Sequence, residues 1–136
     1  MTSEPAALFT PFDEVCVRAD VGGATALPDD ALCNAVKEME NGLIDADLGA
    51  FLYKKRVARP GGGKSGGYRT IISARIGQRY VFLHGFAKKD KANIAQDEKK
   101  ALQFAGKVFL ELSPADLTKA LQAGVLVEVH CVQQAH

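Results

Sequence analysis

Apolar residues recur at helical spacing in three parts of this chain, and each part is bounded by residues that start or stop helices. The stripes within residues 32–39 and 101–112 each place apolar side chains on one helix face, and residues 113–123 fit a shorter helix. For the first helix, Asp29 is the predicted N-cap and Asn41-Gly42 the predicted end. Asn93 is the predicted N-cap of the second helix. The third helix is predicted to begin at Ser113-Pro114 and to end at Gly124. Residues 12–19 also match helical spacing, so a short helix is expected near the N-terminus.

Between the first two stripes the pattern changes to one typical of β-strands. Residues 51–59, 68–75 and 79–86 are rich in β-branched and aromatic residues, and residues 125–132 alternate in part. Local turns join the first three strands, one of them rich in glycine, and such turns favour an antiparallel meander. The predicted fold class is therefore α+β, with a small antiparallel sheet and helices packed on one of its faces.

Length and hydropathy bound the organisation of the chain. With 136 residues, one domain over residues 1–136 is expected, in which 1–28 have no clear assignment and 113–136 form a C-terminal helix–strand extension. No apolar run is long enough to cross a bilayer, and the first residues lack the basic and apolar regions of a signal peptide.

The cysteines and histidines argue against a disulfide framework and against a metal site. The three cysteines are odd in number and far apart, which suits buried free thiols in a reducing cytoplasm. No CxxC or HxxxH spacing occurs, so neither a metal nor another cofactor is expected. The predicted location is the cytoplasm.

Charged residues are distributed unevenly along the chain, and this distribution limits the classes of partner that the protein can bind. Residues 54–91, here called the basic segment, hold eleven Lys and Arg against one Asp, a net charge of +10. Residues 1–53 have a net charge of −8 and residues 92–136 a net charge of −1, so the whole chain is nearly neutral. A dense positive block indicates a polyanionic partner, most commonly a nucleic-acid backbone. The acidic residues 1–53 are also candidates to fold beside this block.

Alternation along the strands predicts that part of the basic segment shares one face of the sheet. Lys54 and Arg56 lie on the same side of their strand, and Arg69 joins them if the hairpin pairs in the simplest register. Cations crowded without acids repel each other, which favours an external anion over a plain solvated face. His84 lies two residues from Phe82 and from Phe86, so it is expected to be a packed side chain rather than a catalytic one.

The glycine-rich loop imitates a nucleotide-binding motif without its context. Residues 58–65 match the loose phosphate-binding-loop pattern, but that motif needs a helix directly after Lys64-Ser65. Two glycines and a strand follow instead, so a nucleoside triphosphatase is rejected. The backbone of the loop and Lys64 still permit close approach to a phosphate.

Two segments resemble the RelE/HigB branch of the RelE/ParE toxin superfamily. They are LYKKRVARPGGGKSGGYR at 52–69 and YVFLHGFAKKDKANI at 80–94, within a wider similarity that covers about 29–112. The resemblance implies a small fold with helices on an antiparallel sheet and a toxin of a type II toxin–antitoxin pair. It further implies an mRNA endoribonuclease that acts in the ribosomal A site with basic side chains and no metal. In that reaction a ribose 2′-OH attacks the adjacent phosphate and leaves a 2′,3′-cyclic phosphate and a 5′-OH.

The resemblance also implies roles for individual residues. Lys54 and Arg56 match the two catalytic basic residues of the family's second strand, and Arg69 matches its phosphate-binding arginine. Lys89 stands where many members have another catalytic arginine, so the charge is kept but the planar two-pronged donor is lost. A tyrosine of some members falls on Ala95 here. The predicted RNA-binding residues are Lys55, Arg59, Lys64, Tyr68, Arg75, Lys88 and Lys91.

Three functions remain open at this point. The first is a ribosome-dependent mRNA endoribonuclease toxin, with the ribosome, mRNA and a helix-turn-helix antitoxin as partners and no membrane. The second is a ParE-like toxin that poisons a protein such as DNA gyrase without cutting RNA. The third is a non-catalytic RNA- or DNA-binding module, which would bind with a steep salt dependence and cause no toxicity.

Overall fold

The computed structural model describes residues 14–19, 27–57, 68–87 and 94–131. The described residues form six strands and three helices, so the predicted α+β class is confirmed. In chain order they are β1 (Val15–Ala19), α1 (Asp29–Glu40), β2 (Ala46–Gly49), β3 (Leu52–Val57), β4 (Tyr68–Arg75), β5 (Arg79–Ala87), α2 (Gln96–Leu110), α3 (Pro114–Ala123) and β6 (Leu126–Glu128). None of the described helices is both long and apolar enough to cross a membrane.

The strands form one mixed sheet in the order β2-β3-β4-β5-β1-β6. The antiparallel meander β3-β4-β5 agrees with the prediction, whereas β1 runs parallel to β5 and makes the sheet mixed. The prediction of a helix within residues 12–19 is wrong, because residues 15–19 form β1. Residues 12 and 13 lie outside the described residues. Val15 and Val17 are β-branched, and the segment pairs with a strand on each side, so sheet pairing decides its conformation.

A short strand that the sequence did not predict, β2, forms a hairpin with β3. The connection uses left-handed backbone at Gly49, Ala50 and Phe51, with φ of 88°, 55° and 64°. Only the glycine adopts such a conformation without steric cost. This turn aligns the residues before β2 with the middle of β3, which becomes important for the candidate site.

Helices cover both faces of the sheet, where the sequence predicted one covered face. On one face α1 packs through Leu32, Val36 and Met39 against a core that includes Ile72 and Phe82. On the other face Leu110 of α2 and Leu117 of α3 pack against a core that includes Ile71 and Val81. The reason is visible in β4 and β5, because consecutive apolar residues supply both faces and each face needs a cover.

The expectation of three free thiols is wrong for two of them. Cys33 of α1 and Cys131 form a disulfide whose Cα atoms are 5.7 Å apart. The bridge closes a loop with a sequence separation of 98 residues and ties the end of the described chain to α1. Cys16 is a free, buried thiol, and burial raises its pKa to about 11.

The helix ends follow the predictions in part. Ser113 caps α3 by accepting a bond from the Asp116 backbone N–H at 3.1 Å, and Gly124 ends it in left-handed backbone, as predicted. Asp29 is the first residue of α1 rather than its cap, which is Pro28. The predicted cap Asn93 lies outside the described residues, and the N-cap of α2 is Ala95. The final strand β6 is shorter than predicted, three residues in length.

The Asp29 carboxylate links three distant segments instead of capping its helix. It accepts from Arg18 of β1 at 2.5 Å and from the His130 backbone N–H at 3.0 Å. Burial alone would raise the pKa of Asp29, but these bonds and the charge of Arg18 outweigh it, so the pKa lies below its ordinary value of 3.8.

Candidate active site

Three of the four predicted catalytic residues lie on one face of the sheet. Arg56 of β3 is directly opposite Arg69 of β4, and Lys54 is opposite Ile71. Residues that oppose each other in an antiparallel pair share a face, with Cα atoms about 5 Å apart. This face, defined by Lys54, Arg56 and Arg69 and here called the site face, is the same one on which α2 and α3 pack, since Ile71 belongs to their core.

The cations of the site face are partly exposed, and each is held on a well-packed strand. Lys54, Arg56 and Arg69 are all intermediate in burial, whereas their neighbours Leu52 and Ile71 are fully buried. Because Leu52 and Ile71 are buried, they hold the backbone of β3 and β4 in place, and the Cα atoms of the three cations have fixed positions. Like charges directly opposite each other repel, so the pair Arg56 and Arg69 needs a compensating anion.

Part of that compensation is an acid from outside the basic segment. Both oxygens of Asp45 bond Arg56: Oδ2 accepts from the Arg56 backbone N–H, and Oδ1 accepts from Arg56 Nε at 3.3 Å. No described residue bonds the two Nη groups of Arg56. The sequence left open whether acidic residues fold beside the cations, and the structure shows that Asp45 does.

Three buried polar atoms on the side of the site face have no hydrogen-bond partner among the described residues. They are Arg69 Nη1, Ser73 Oγ and His84 Nε2. His84 lies opposite Ile71 on β5 and contacts the Phe86 ring, with ring centroids 5.8 Å apart. His84 is therefore packed, as predicted, but it packs beside the cations of the site face. A buried unpaired donor costs about 1–3 kcal/mol, a cost that polar site residues commonly carry.

The predicted RNA contact Lys55 has a structural partner instead. It points to the opposite face, is 3% exposed, and its Nζ lies 2.6 Å from Glu38 Oε1 of α1. A buried ammonium with a carboxylate partner joins the helix to the sheet and has no exposed surface to offer RNA. We therefore leave Lys55 out of the proposed RNA-binding surface.

Two other predicted RNA contacts lie apart from the site face cations. Tyr68 is on the face covered by α1 and packs against its core. Arg75 is exposed at the far end of β4, about 20 Å from Arg69 along the strand. Its guanidinium lies over the Phe51 ring, 5.7 Å from the centroid. The structure does not bring either residue to Arg56 and Arg69.

The other predicted site residues lie outside the described residues. They comprise the fourth predicted catalytic residue and four predicted RNA contacts: Lys89, Arg59, Lys64, Lys88 and Lys91. The segments that carry them directly follow β3 and β5 or precede β4.

Comparison with known proteins agrees with the geometry. A search of curated proteins finds no match. A family model described as "RelE toxin of RelE / RelB toxin-antitoxin system" matches residues 20–129, most of the chain. The match extends past the sequence resemblance at its C-terminal side and includes α3 and β6. This chain therefore belongs to the RelE toxin family of type II toxin–antitoxin systems.

Proposed function

We propose that this protein is a ribosome-dependent mRNA endoribonuclease that works with basic side chains and without a metal. The supporting observation is the opposed pair of Arg56 and Arg69, with Lys54 on the same face and the Nη groups of Arg56 without described partners. Two guanidinium groups on adjacent rigid strands form a receptor for one phosphodiester, because each presents planar donors that match phosphate oxygens.

The proposed reaction is transesterification within the RNA. The 2′-oxygen bonds to the adjacent phosphorus, the bond from phosphorus to the 5′-oxygen breaks, and the proton lost by the 2′-OH is balanced by one gained at the 5′-oxygen. Arg56 and Arg69 stabilise the extra negative charge of the phosphorane, and Lys54 contributes a third positive charge. The ribosome supplies alignment of the 2′-OH with the phosphorus.

The partners follow from the same proposal. The family pairs each toxin with an antitoxin, and we expect one with a helix-turn-helix domain that neutralises this chain. Lys89 remains a predicted catalytic residue, and Arg59, Lys64, Lys88 and Lys91 remain predicted RNA contacts. A cytoplasmic location is part of the proposal, because mRNA and ribosomes are there.

The test is a reconstituted translation reaction in which cuts in a defined mRNA are mapped with and without ribosomes. The wild-type protein should cut only with ribosomes present. Lys54→Ala, Arg56→Ala and Arg69→Ala should each lower the cleavage rate about 100-fold or more, as loss of one charge-stabilising donor does elsewhere. Arg75→Ala is the matched control, since it removes an equal charge from the far end of β4 and should leave the rate unchanged.

Circular dichroism would verify that each variant is folded. Full cleavage by all three site variants would refute this active site. Growth arrest with intact transcripts and damaged DNA would instead support a gyrase poison. RNA binding without either effect would support a non-catalytic module.

A further inference from the structure

The Asp45 carboxylate holds Arg56 at two points. One oxygen accepts from the backbone N–H and the other from Nε of the side chain. The Asp45 side chain is 25% exposed and the Arg56 side chain 43% exposed, so the pair lies at the edge of the site rather than in the core. A simple surface ion pair contributes little, but a carboxylate that also bonds the backbone has a fixed position.

The end of β2 explains why Asp45 lies there. The pairing of β2 with β3 begins with Ala46 opposite Lys54, and the Asp45 backbone N–H donates to the Lys54 carbonyl at 3.1 Å. Arg56 is two residues beyond this last pair, so its N–H has no backbone partner in β2. The Asp45 carboxylate takes the place of the missing strand residue, and its second oxygen is thereby aimed at Arg56 Nε.

This contact determines which edge of the guanidinium remains for a ligand. A guanidinium presents donors along a rigid planar fork, and Asp45 occupies the donor nearest the chain. The outer pair, Nη1 and Nη2, has no partner among the described residues. That pair is the edge suited to a bidentate bond with a phosphate.

We propose that Asp45 is a positioning residue for the cleavage reaction, orienting Arg56 so that both Nη groups meet the scissile phosphate beside Arg69. This inference rests on the proposed function and deepens it. By orienting Arg56, the Asp45 carboxylate improves the geometry of the reacting state. Its negative charge also repels the RNA phosphate and so weakens RNA binding. Loss of the Asp45 charge should therefore lower the cleavage rate without weakening RNA binding.

The discriminating variant is Asp45→Asn. An asparagine oxygen still accepts from the Arg56 backbone N–H, so the end of the hairpin is retained, but the charge that attracts Nε is lost. With mRNA-programmed ribosomes under single-turnover conditions, the cleavage rate at saturating toxin should fall about 10-fold or more, since small misplacements of a catalytic group have effects of this size. The half-saturating toxin concentration should stay equal or fall.

Asp47→Asn is the matched control. It makes the same change of charge two residues away, where the carboxylate accepts from the Gly49 backbone N–H at 2.9 Å and bonds no other described residue. A general charge effect would act through both variants, whereas positioning acts through Asp45→Asn alone. Equal rate losses in the two variants would overturn the inference.

A double-variant cycle and a spectroscopic measurement complete the test. Lysine lacks the guanidinium Nε–H that Asp45 bonds in Arg56. In an Arg56→Lys background, Asp45→Asn should therefore have no further effect on the cleavage rate. Independently of activity, NMR of the Arg56 Nε–H should show faster exchange with water in Asp45→Asn than in the wild type. An unchanged Nε–H signal, or a rate loss that persists with Arg56→Lys, would overturn the inference.

These outcomes are separable from a failure of the proposed function. If Lys54→Ala and Arg69→Ala cleave normally, the proposed active site fails. If those variants are inactive and Asp45→Asn cleaves at the wild-type rate, only the positioning role fails.

Discussion

Gly106→Ala tests how tightly α2 is seated on the site face. A Cβ added at Gly106 would lie 1.6 Å from Ser73 Oγ and 2.6 Å from Ser73 Cβ. Rotation of the serine side chain moves Oγ but not Cβ, so helix and strand must separate by about 1 Å, a large change for a close-packed interior. Because Ser73 shares its strand with Arg69, the same movement disturbs the candidate site.

The expected magnitude comes from two opposing contributions. Overpacking of this kind costs about 1–3 kcal/mol, and contact with backbone-attached carbon argues for the upper end. Alanine is favoured over glycine inside a helix by about 1 kcal/mol. The net loss of unfolding free energy should be about 2 kcal/mol, a fall in Tm of roughly 6–8 °C for a chain of this size.

Urea denaturation followed by circular dichroism measures this loss, and Ser73→Gly provides the control. With both Ser73 contacts removed, the nearest remaining atom is Leu83 Cδ1 at 3.4 Å, an ordinary contact. Gly106→Ala should therefore become stabilising in the Ser73→Gly background. A neutral or stabilising effect of Gly106→Ala in the native background would refute the reasoning.

Two further predictions concern long-range links. Reduction of the Cys33–Cys131 bridge should lower unfolding free energy by up to about 4–5 kcal/mol, as expected for a loop of this length, and Cys33→Ser should remove the response of Tm to dithiothreitol. A Tm that does not change on reduction would show that the bridge adds no stability. Asp29 has a lowered pKa in the folded state, so its contribution is present above its ordinary value of 3.8 and is lost as pH falls towards the folded pKa. Tm measured between pH 7 and pH 3 should differ between wild type and Asp29→Asn, with the difference shrinking below about pH 4; a difference independent of pH would contradict the assignment.

The strands of the meander could be predicted because their signal is local. Residues 68–75 and 79–86 combine β-branched residues with a tight turn, and the structure forms β4 and β5 almost at these positions. The prediction of a helix at β1 was wrong because a segment of five residues fits the helical and the strand spacing equally well. Its pairing with β5 and β6 decides in favour of a strand. β2 has little β-propensity in its Ala-Asp-Leu-Gly sequence, so its pairing depends on the turn that follows.

The candidate site shows the same division. Strand alternation was sufficient to place Lys54, Arg56 and Arg69 together and to separate Lys55 from them. Alternation gives no information about what covers each face, so Lys55 was assigned to RNA although α1 buries it against Glu38. Asp45 was not among the predicted site residues, because the one signal that could have identified it is an acid directly before β2, a strand that the sequence did not predict.

The sequence by itself determined the fold class, the paired strands of the meander, the cationic row on one face and the resemblance to the toxin family. These depend on the two-residue period of a strand and on turns between neighbours, and both act within a few residues. Tertiary structure alone decided the parallel β1, the cover on both faces, the Cys33–Cys131 bridge and the bond from Asp45 to Arg56. Those features join residues that lie from 11 to 98 positions apart, and such contacts form only where packing of whole helices and strands brings the groups within bonding distance.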